Sequence, residues 1–301
     1  MNPKRVGVLR GGSVDYDSSF KKGGEIILHI LENLLHKYRP IDILVDKNGI
    51  WHAGGVPIEL ADIPDKVDLI WDASHPDSLL DTSDINVPKI NTNSFSSSLN
   101  NNKDMLREHV QKIGINMPRH IVFPVYQKDF DGSEVSYAIK KAKEVFEKFS
   151  SPWIVRSFTQ DSNIGIHLAK TFDELIYGIE DGVRHGKSIL VEEFISGKPV
   201  AMHSVSDFRG EDVYVFPPAG FNSLEKEVVI NAIKDLHKHL AVEYYIKSDI
   251  VFHPKKGIFL LGTDLSLDAR KGSPFEQSCE YVGAKVHHVI RHVLDNALES
   301  K

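Results

Sequence analysis

Residues 152–197 read PWIVRSFTQDSNIGIHLAKTFDELIYGIEDGVRHGKSILVEEFISG. Trp153–Arg156 and Ser188–Glu192 are short apolar runs of strand character. Thr171–Val183 is a helix between them, and Thr159–Gly165 is a polar loop after the first strand. The alternation continues in both directions. Downstream, the pattern predicts a strand at Val213–Phe216, a helix over Ser223–Leu240, strands at Ile246–Phe252 and Ile258–Leu261, and a last helix from about Phe275. Upstream, it predicts a helix at Lys103–Ile113 with Gly114 as its C-cap, a strand at Met117–Phe123 begun by Pro118, and a charged amphipathic helix at Ser136–Phe149.

The first ninety or so residues have their own pattern. Val6–Leu9 is an apolar strand ending at Gly11-Gly12, and Gly24–Tyr38 carries a helical stripe of Ile26, Ile27, Ile30, Leu31, Leu34 and Leu35. Ile41–Val45 is a strand, turned by Lys47-Asn48-Gly49 into a hairpin ending at Ile50-Trp51. Val67–Trp71 is a third, buried strand. Strands alternating with helices imply an α/β fold. The Asn- and Ser-rich Asn91–Asn102 is a plausible boundary.

Composition narrows the function. The 301 residues are 41% hydrophobic and 26% charged, which is ordinary for a globular chain. A formal net charge of −6 gives no basic excess for phosphate backbones, so no nucleic-acid partner is expected. One cysteine, Cys279, cannot form an internal disulfide, which fits a reducing compartment. No apolar run approaches a membrane span, and the start MNPKRVGVLRGGS has too short a core for a signal peptide. A cytoplasmic protein is expected.

Five segments, in order, resemble the D-alanine–D-alanine ligase family of the ATP-grasp superfamily: RVGVLRGGSVDYDSSFKKGGEII, NNNKDMLREHVQKIGINMPRHIVF, PWIVRSFTQDSNIGI, ILVEEFISGKPV, and the stretch from PPAGFNSLEKEVV to FLLGTDLS. The resemblance implies an ATP-grasp fold with a Rossmann-like substrate domain over 1–92 and two α+β subdomains over 93–196 and 197–301 that grip ATP. It also implies a chemistry in which ATP phosphorylates a carboxylate and an amine displaces phosphate. A homodimer acting on a small amino acid or peptide is implied too.

Such chemistry brings anions together and needs positive charge, donors and oxygen ligands for Mg²⁺. By resemblance, Lys103 and Arg156 hold phosphates, and Ser162 and Gly165 belong to a lid over them. Glu192, Glu193, Phe194 and Ile195 form the hinge that holds adenine. Lys247 stabilises the tetrahedral intermediate, Asp249 and Asp264 bind metal, and Asp15 stands where a glutamate orients the first D-alanine.

The chain departs from the family's pattern at several of these points. Gly262 stands where a bridging glutamate is expected, Pro199 replaces the ribose-binding acid, and Asp161 replaces a lid glycine. The substrate loop before Pro217 is short, since Ser206–Val213 cannot contain it, and Ala73–Asp77 is a reduced substrate segment. These changes imply an eroded metal and substrate site. Three functions follow: a ligase resembling D-alanine–D-alanine ligase, a ligase for another amino acid or peptide, and a noncatalytic ATP-grasp protein that binds nucleotide or a protein partner. Of the fifteen histidines, His237, His239, His287, His288 and His292 fall on predicted helices whose solvated faces account for them better than metal binding does.

Overall fold

The computed structural model describes residues 2–75, 78, 80–90, 99, 102–158 and 165–299. They divide into two compact units. One comprises residues 1–115, 199–250 and 262–301, and the other residues 116–198 and 251–261.

The first unit opens with a sheet of strands β1 (Lys4–Gly11), β2 (Tyr38–Val45), β3 (Trp51–Ala53), β4 (Val56–Pro57), β5 (Leu69–Asp72) and β6 (Lys89–Ile90), in the order β4-β3-β2-β1-β5-β6. β1 lies parallel to both β2 and β5, with Gly7 opposite Ile41 and Ile70. Parallel strands bury both faces, which is why β1 is a continuous apolar run. The Asn48-Gly49 turn forms the hairpin to β3, and Asp46 accepts from the amides of Asn48 and Ile50. Gly11 ends β1 at φ 90°, and a Cβ there would lie 2.2 Å from the Val45 carbonyl oxygen. Only glycine permits that approach.

The helix after β1 spans Tyr16–Asn33, so it starts well before the apolar stripe does and ends before Tyr38, which opens β2. Ile26, Ile30 and Leu34 are buried, whereas Leu31 and Leu35 are exposed. The polar first turns of this helix follow Asp15, which sits at φ 45° and ψ 44° without capping through its side chain.

The second unit contains β7 (His120–Phe123), β8 (Trp153–Ser157), β9 (His167–Ala169) and β10 (Ile189–Glu193), in the order β7-β10-β8-β9. Every pairing is antiparallel. Helices Glu134–Lys148 and Phe172–Arg184 cover the sheet through a core that includes Tyr137, Val145, Trp153, Val155, Ile179 and Val191. Thr171 and Glu174 form a reciprocal capping box that fixes the start of the second helix.

A third sheet, in the order β12-β11-β13-β14, comprises β11 (Lys198–Ser206), β12 (Val213–Val215), β13 (Tyr245–His253) and β14 (Gly257–Asp264). The Ser223–His239 helix between β12 and β13 starts at another capping box, Asn222 with Glu225. The expected last helix is two, Pro274–Tyr281 and Val286–Glu299, separated at Gly283 with φ 68°. No helix of the described residues is long and apolar enough to cross a membrane.

Candidate active site

In the second unit, the hinge residues leave the end of the central strand β10. Arg156 and Glu192 form an ion pair from β8 to β10, with Nη2 3.1 Å from Oε2 and Nε donating to the same oxygen at 3.2 Å. The guanidinium expected to hold phosphate is thus engaged by a hinge carboxylate. Glu193 makes a second pair, accepting from Arg119 at 2.9 and 3.1 Å, and that guanidinium holds its carboxyl below the ordinary range.

The hinge backbone is partly committed as well. The Glu193 amide donates to the Arg119 carbonyl at 2.8 Å and the Phe194 amide to the Pro152 carbonyl at 3.0 Å. Among the described residues the Ile195 amide has no partner, and Phe194 is 40% exposed beside it. An apolar ring next to an available donor suits the edge and face of a flat heterocycle. Gly197 then turns the chain into β11 at φ 151°.

Ser162 and the neighbouring Asp161 lie outside the described residues, as do Pro76 and Asp77. Gly165 is described, and its amide supports the Asp181 carboxylate on the Phe172–Arg184 helix. Asp181 also pairs with His167 at 2.8 Å.

In the first unit, Lys103 is the first residue of a helix over Lys103–Gln111, capped by Asn102. Asp15 occupies the strained left-handed region, which favours glycine, and its carboxylate plays no part in helix capping. On β13, the two-residue strand period places Lys247 and Asp249 on one face, with Nζ 2.8 Å from Oδ2.

Asp264 ends β14, and each of its oxygens has a partner. Oδ1 accepts from the Ser266 amide at 2.8 Å and from its hydroxyl at 2.6 Å. Oδ2 lies 3.4 Å from Lys22 Nζ, which also donates to Ser266 Oγ at 2.6 Å. Burial pushes this carboxyl up, but Lys22, the two Ser266 donors and Lys247 outweigh it, and the net shift is downward.

The Mg²⁺ expected from the sequence meets poor ligands. Asp249 and Asp264 each face a lysine, Gly262 contributes no oxygen from a side chain, and no group of three or more His, Cys, Asp or Glu among the described residues is arranged to hold a metal. These side chains do not fit a divalent-metal centre.

Several features escaped the sequence. Lys22 is one: the pair Lys21-Lys22 precedes the apolar stripe, and its only local signal is charge. Histidine is another. His237 is buried rather than solvated and bonds to Ser204 Oγ and Ser206 Oγ at 2.9 and 2.8 Å. His292 Nε2 lies 2.8 Å from the Ser206 carbonyl, and His239 faces His109 at 3.3 Å. His203 is buried too, with Nδ1 2.8 Å from the Tyr245 hydroxyl, and burial first, then Lys247, pulls it down to about 3.

Known proteins resemble this chain in sequence and fold. The family model for the D-Ala-D-Ala ligase C-terminus matches residues 109–218. The D-alanine–D-alanine ligase of Natranaerobius thermophilus is 28% identical over 240 residues, covering 67% of this chain and 63% of that protein. The corresponding ligase of Halalkalibacterium halodurans is 26% identical over 217 residues, covering 69% and 62%. The chain thus matches less than two thirds of the length of either relative. Among solved structures, the VanG D-Ala:D-Ser ligase of Enterococcus faecalis aligns with a TM-score of 0.75 at 16% identity, covering 98% of this chain and 99% of that one. The D-alanine–D-alanine ligase of Bacillus anthracis, solved with ATP, aligns at 0.71 and 17%, covering 100% and 98%. The fold is therefore ATP-grasp, and residues 109–218 are similar to the C-terminal part of D-alanine–D-alanine ligases.

Proposed function

We propose that this chain is an ATP-dependent carboxylate–amine ligase with a weakened active site, acting on a small amino acid or peptide. The observation that carries the reading is the cluster on β13 and at the end of β14, where Lys247 touches Asp249 and its field also reaches Asp264. In this reading the terminal phosphoryl group of ATP passes to a substrate carboxylate, giving an acyl phosphate and ADP. An amine attacks the acyl carbon, loses its proton and expels phosphate, which leaves an amide. Lys247 stabilises the oxyanion of the tetrahedral intermediate. Asp15, strained and not used for capping, orients the amino end of the first substrate. The Glu193–Ile195 backbone holds adenine, and phosphate contacts are assigned to Lys103, to Arg156, and to Ser162 and Gly165. No step is assigned to Mg²⁺, because the aspartates that would bind it face lysines. The enzyme works as a homodimer in the cytoplasm.

A second reading is noncatalytic binding of nucleotide or of a protein partner. It is favoured by the internal pairing of Arg156 with Glu192 and of Lys22 with Asp264, which offsets charge that phosphoryl transfer would use. One assay separates the readings: phosphate release with ATP, Mg²⁺ and D-alanine, then other amino acids and dipeptides as acceptors. The ligase reading expects slow, acceptor-dependent release. No phosphate release with any acceptor, beside tight binding of a nonhydrolysable ATP analogue, selects the noncatalytic reading. Robust D-alanyl-D-alanine formation overturns the weakened site.

A further inference from the structure

The cation beside Asp264 belongs to the chain itself. Lys22 lies 242 positions away in sequence, yet its ammonium reaches Asp264 Oδ2 and donates to Ser266 Oγ, while the Ser266 hydroxyl donates a hydrogen bond to Oδ1. Both partners are largely shielded, at 22% and 32% exposed. Lys247 stands in the same relation to Asp249. Two carboxylates and two ammonium groups sum to zero formal charge, so little negative field remains to draw a dication. A hard dication also requires direct oxygen contacts at about 2.0–2.6 Å. Both Asp264 oxygens already accept, from Lys22 and from Ser266, and Asp249 Oδ2 accepts from Lys247.

We propose that Lys22 is a built-in counter-cation that takes the place of a divalent metal at Asp264. The proposal rests on the ligase-family reading only for the expectation of a metal there. Lys22 is a positioning residue: it fixes the Asp264 carboxylate and sets the local charge without an exchangeable ion. Its neutralising charge is covalently tethered, so it cannot be removed by chelation.

The test is a titration of the full chain with Mn²⁺ alone, read by loss of the free-ion electron paramagnetic resonance signal. The unmodified protein is expected to bind no Mn²⁺ below about 1 mM, and Lys22→Met to bind about tenfold more tightly or better. That gain should vanish on adding Asp264→Asn. Lys22→Gln keeps a side chain that can donate to Ser266, and provides the same comparison if Lys22→Met fails to fold by circular dichroism. Micromolar Mn²⁺ binding by the unmodified protein, lost in Asp264→Asn, overturns the proposal. So does a folded Lys22 variant that binds no more Mn²⁺ than the parent. A nonhydrolysable ATP analogue titrated in parallel reads the nucleotide site separately: its failure to bind sinks the ligase reading and leaves the Mn²⁺ result intact.

Discussion

Arg156 and Glu192 face each other from adjacent strands, with Nη2 3.1 Å from Oε2 and side chains only 20% and 7% exposed. A carboxylate this buried needs its partner. Arg156→Met should therefore lower stability by about 1.5–3 kcal/mol, the scale for losing a hydrogen bond between charged groups. Adding Glu192→Gln should cost less than it does in the parent, because the ion pair it would break is already gone. Urea unfolding of the single and double variants checks this. A loss under about 1 kcal/mol for Arg156→Met would show the pair to be worth no more than a surface bridge.

Lys103 should act on ligand rather than on the fold. Lys103→Met is expected to weaken binding of an ATP analogue by about 1–3 kcal/mol, the range for losing a charge-assisted hydrogen bond. Isothermal titration measures it. Unchanged affinity in both Lys103→Met and a folded Arg156 variant would remove the phosphate assignment.

Gly197 turns the hinge into β11 with no room to spare. A Cβ there would lie 2.4 Å from the Phe252 carbonyl oxygen and 2.8 Å from Val251 Cγ1, and φ is 151°. Gly197→Ala should cost about 1–3 kcal/mol of stability from backbone strain. A melting temperature equal to that of the parent would contradict the turn geometry.

Two buried histidines should make the fold acid-sensitive. Burial pulls His237 down to about 4 and His203 down to about 3. In the unfolded chain both take up a proton near pH 6.5, so below that pH the unfolded state binds more protons than the folded one. Their contribution is therefore fully present above about pH 6.5 and declines as pH falls toward 4 and then 3. His237→Gln should flatten the stability curve by up to ~1.4 kcal/mol per pH unit between pH 6 and 4.5. Urea unfolding across that range reads the slope, and identical slopes would refute the assignment.

Gly262 offers open space to the first atom of a side chain. A Cβ built on it meets nothing within 4 Å. Gly262→Glu should fold with stability within about 1 kcal/mol of the parent, the usual span for an unhindered site. If erosion at this position limits catalysis, the variant should release phosphate faster with its acceptor. No gain in rate places the limit elsewhere, with Lys22 beside Asp264 the next group to change.

The sequence by itself determined the alternation of strands and helices and the turn at Asn48-Gly49. These are local properties. Periodicity, turn chemistry and residue identity act over a few neighbours, so they survive without knowledge of the fold. Helix ends were less legible: nothing in the polar Tyr16–Lys22 run announces a helix until Ser19 is seen buried, bonded to the Gly11 amide and the Ala73 carbonyl. Only the tertiary structure decided which charges are already matched. Arg156 and Glu192 lie 36 positions apart and Lys22 and Asp264 lie 242 apart, and neither member of either pair carries a local mark of its partner. The same holds for His237, whose helical position suggests a solvated face until Ser204 and Ser206 of β11 supply its hydrogen bonds. Charge and burial are sums over space, and the chain sets them only when distant segments meet.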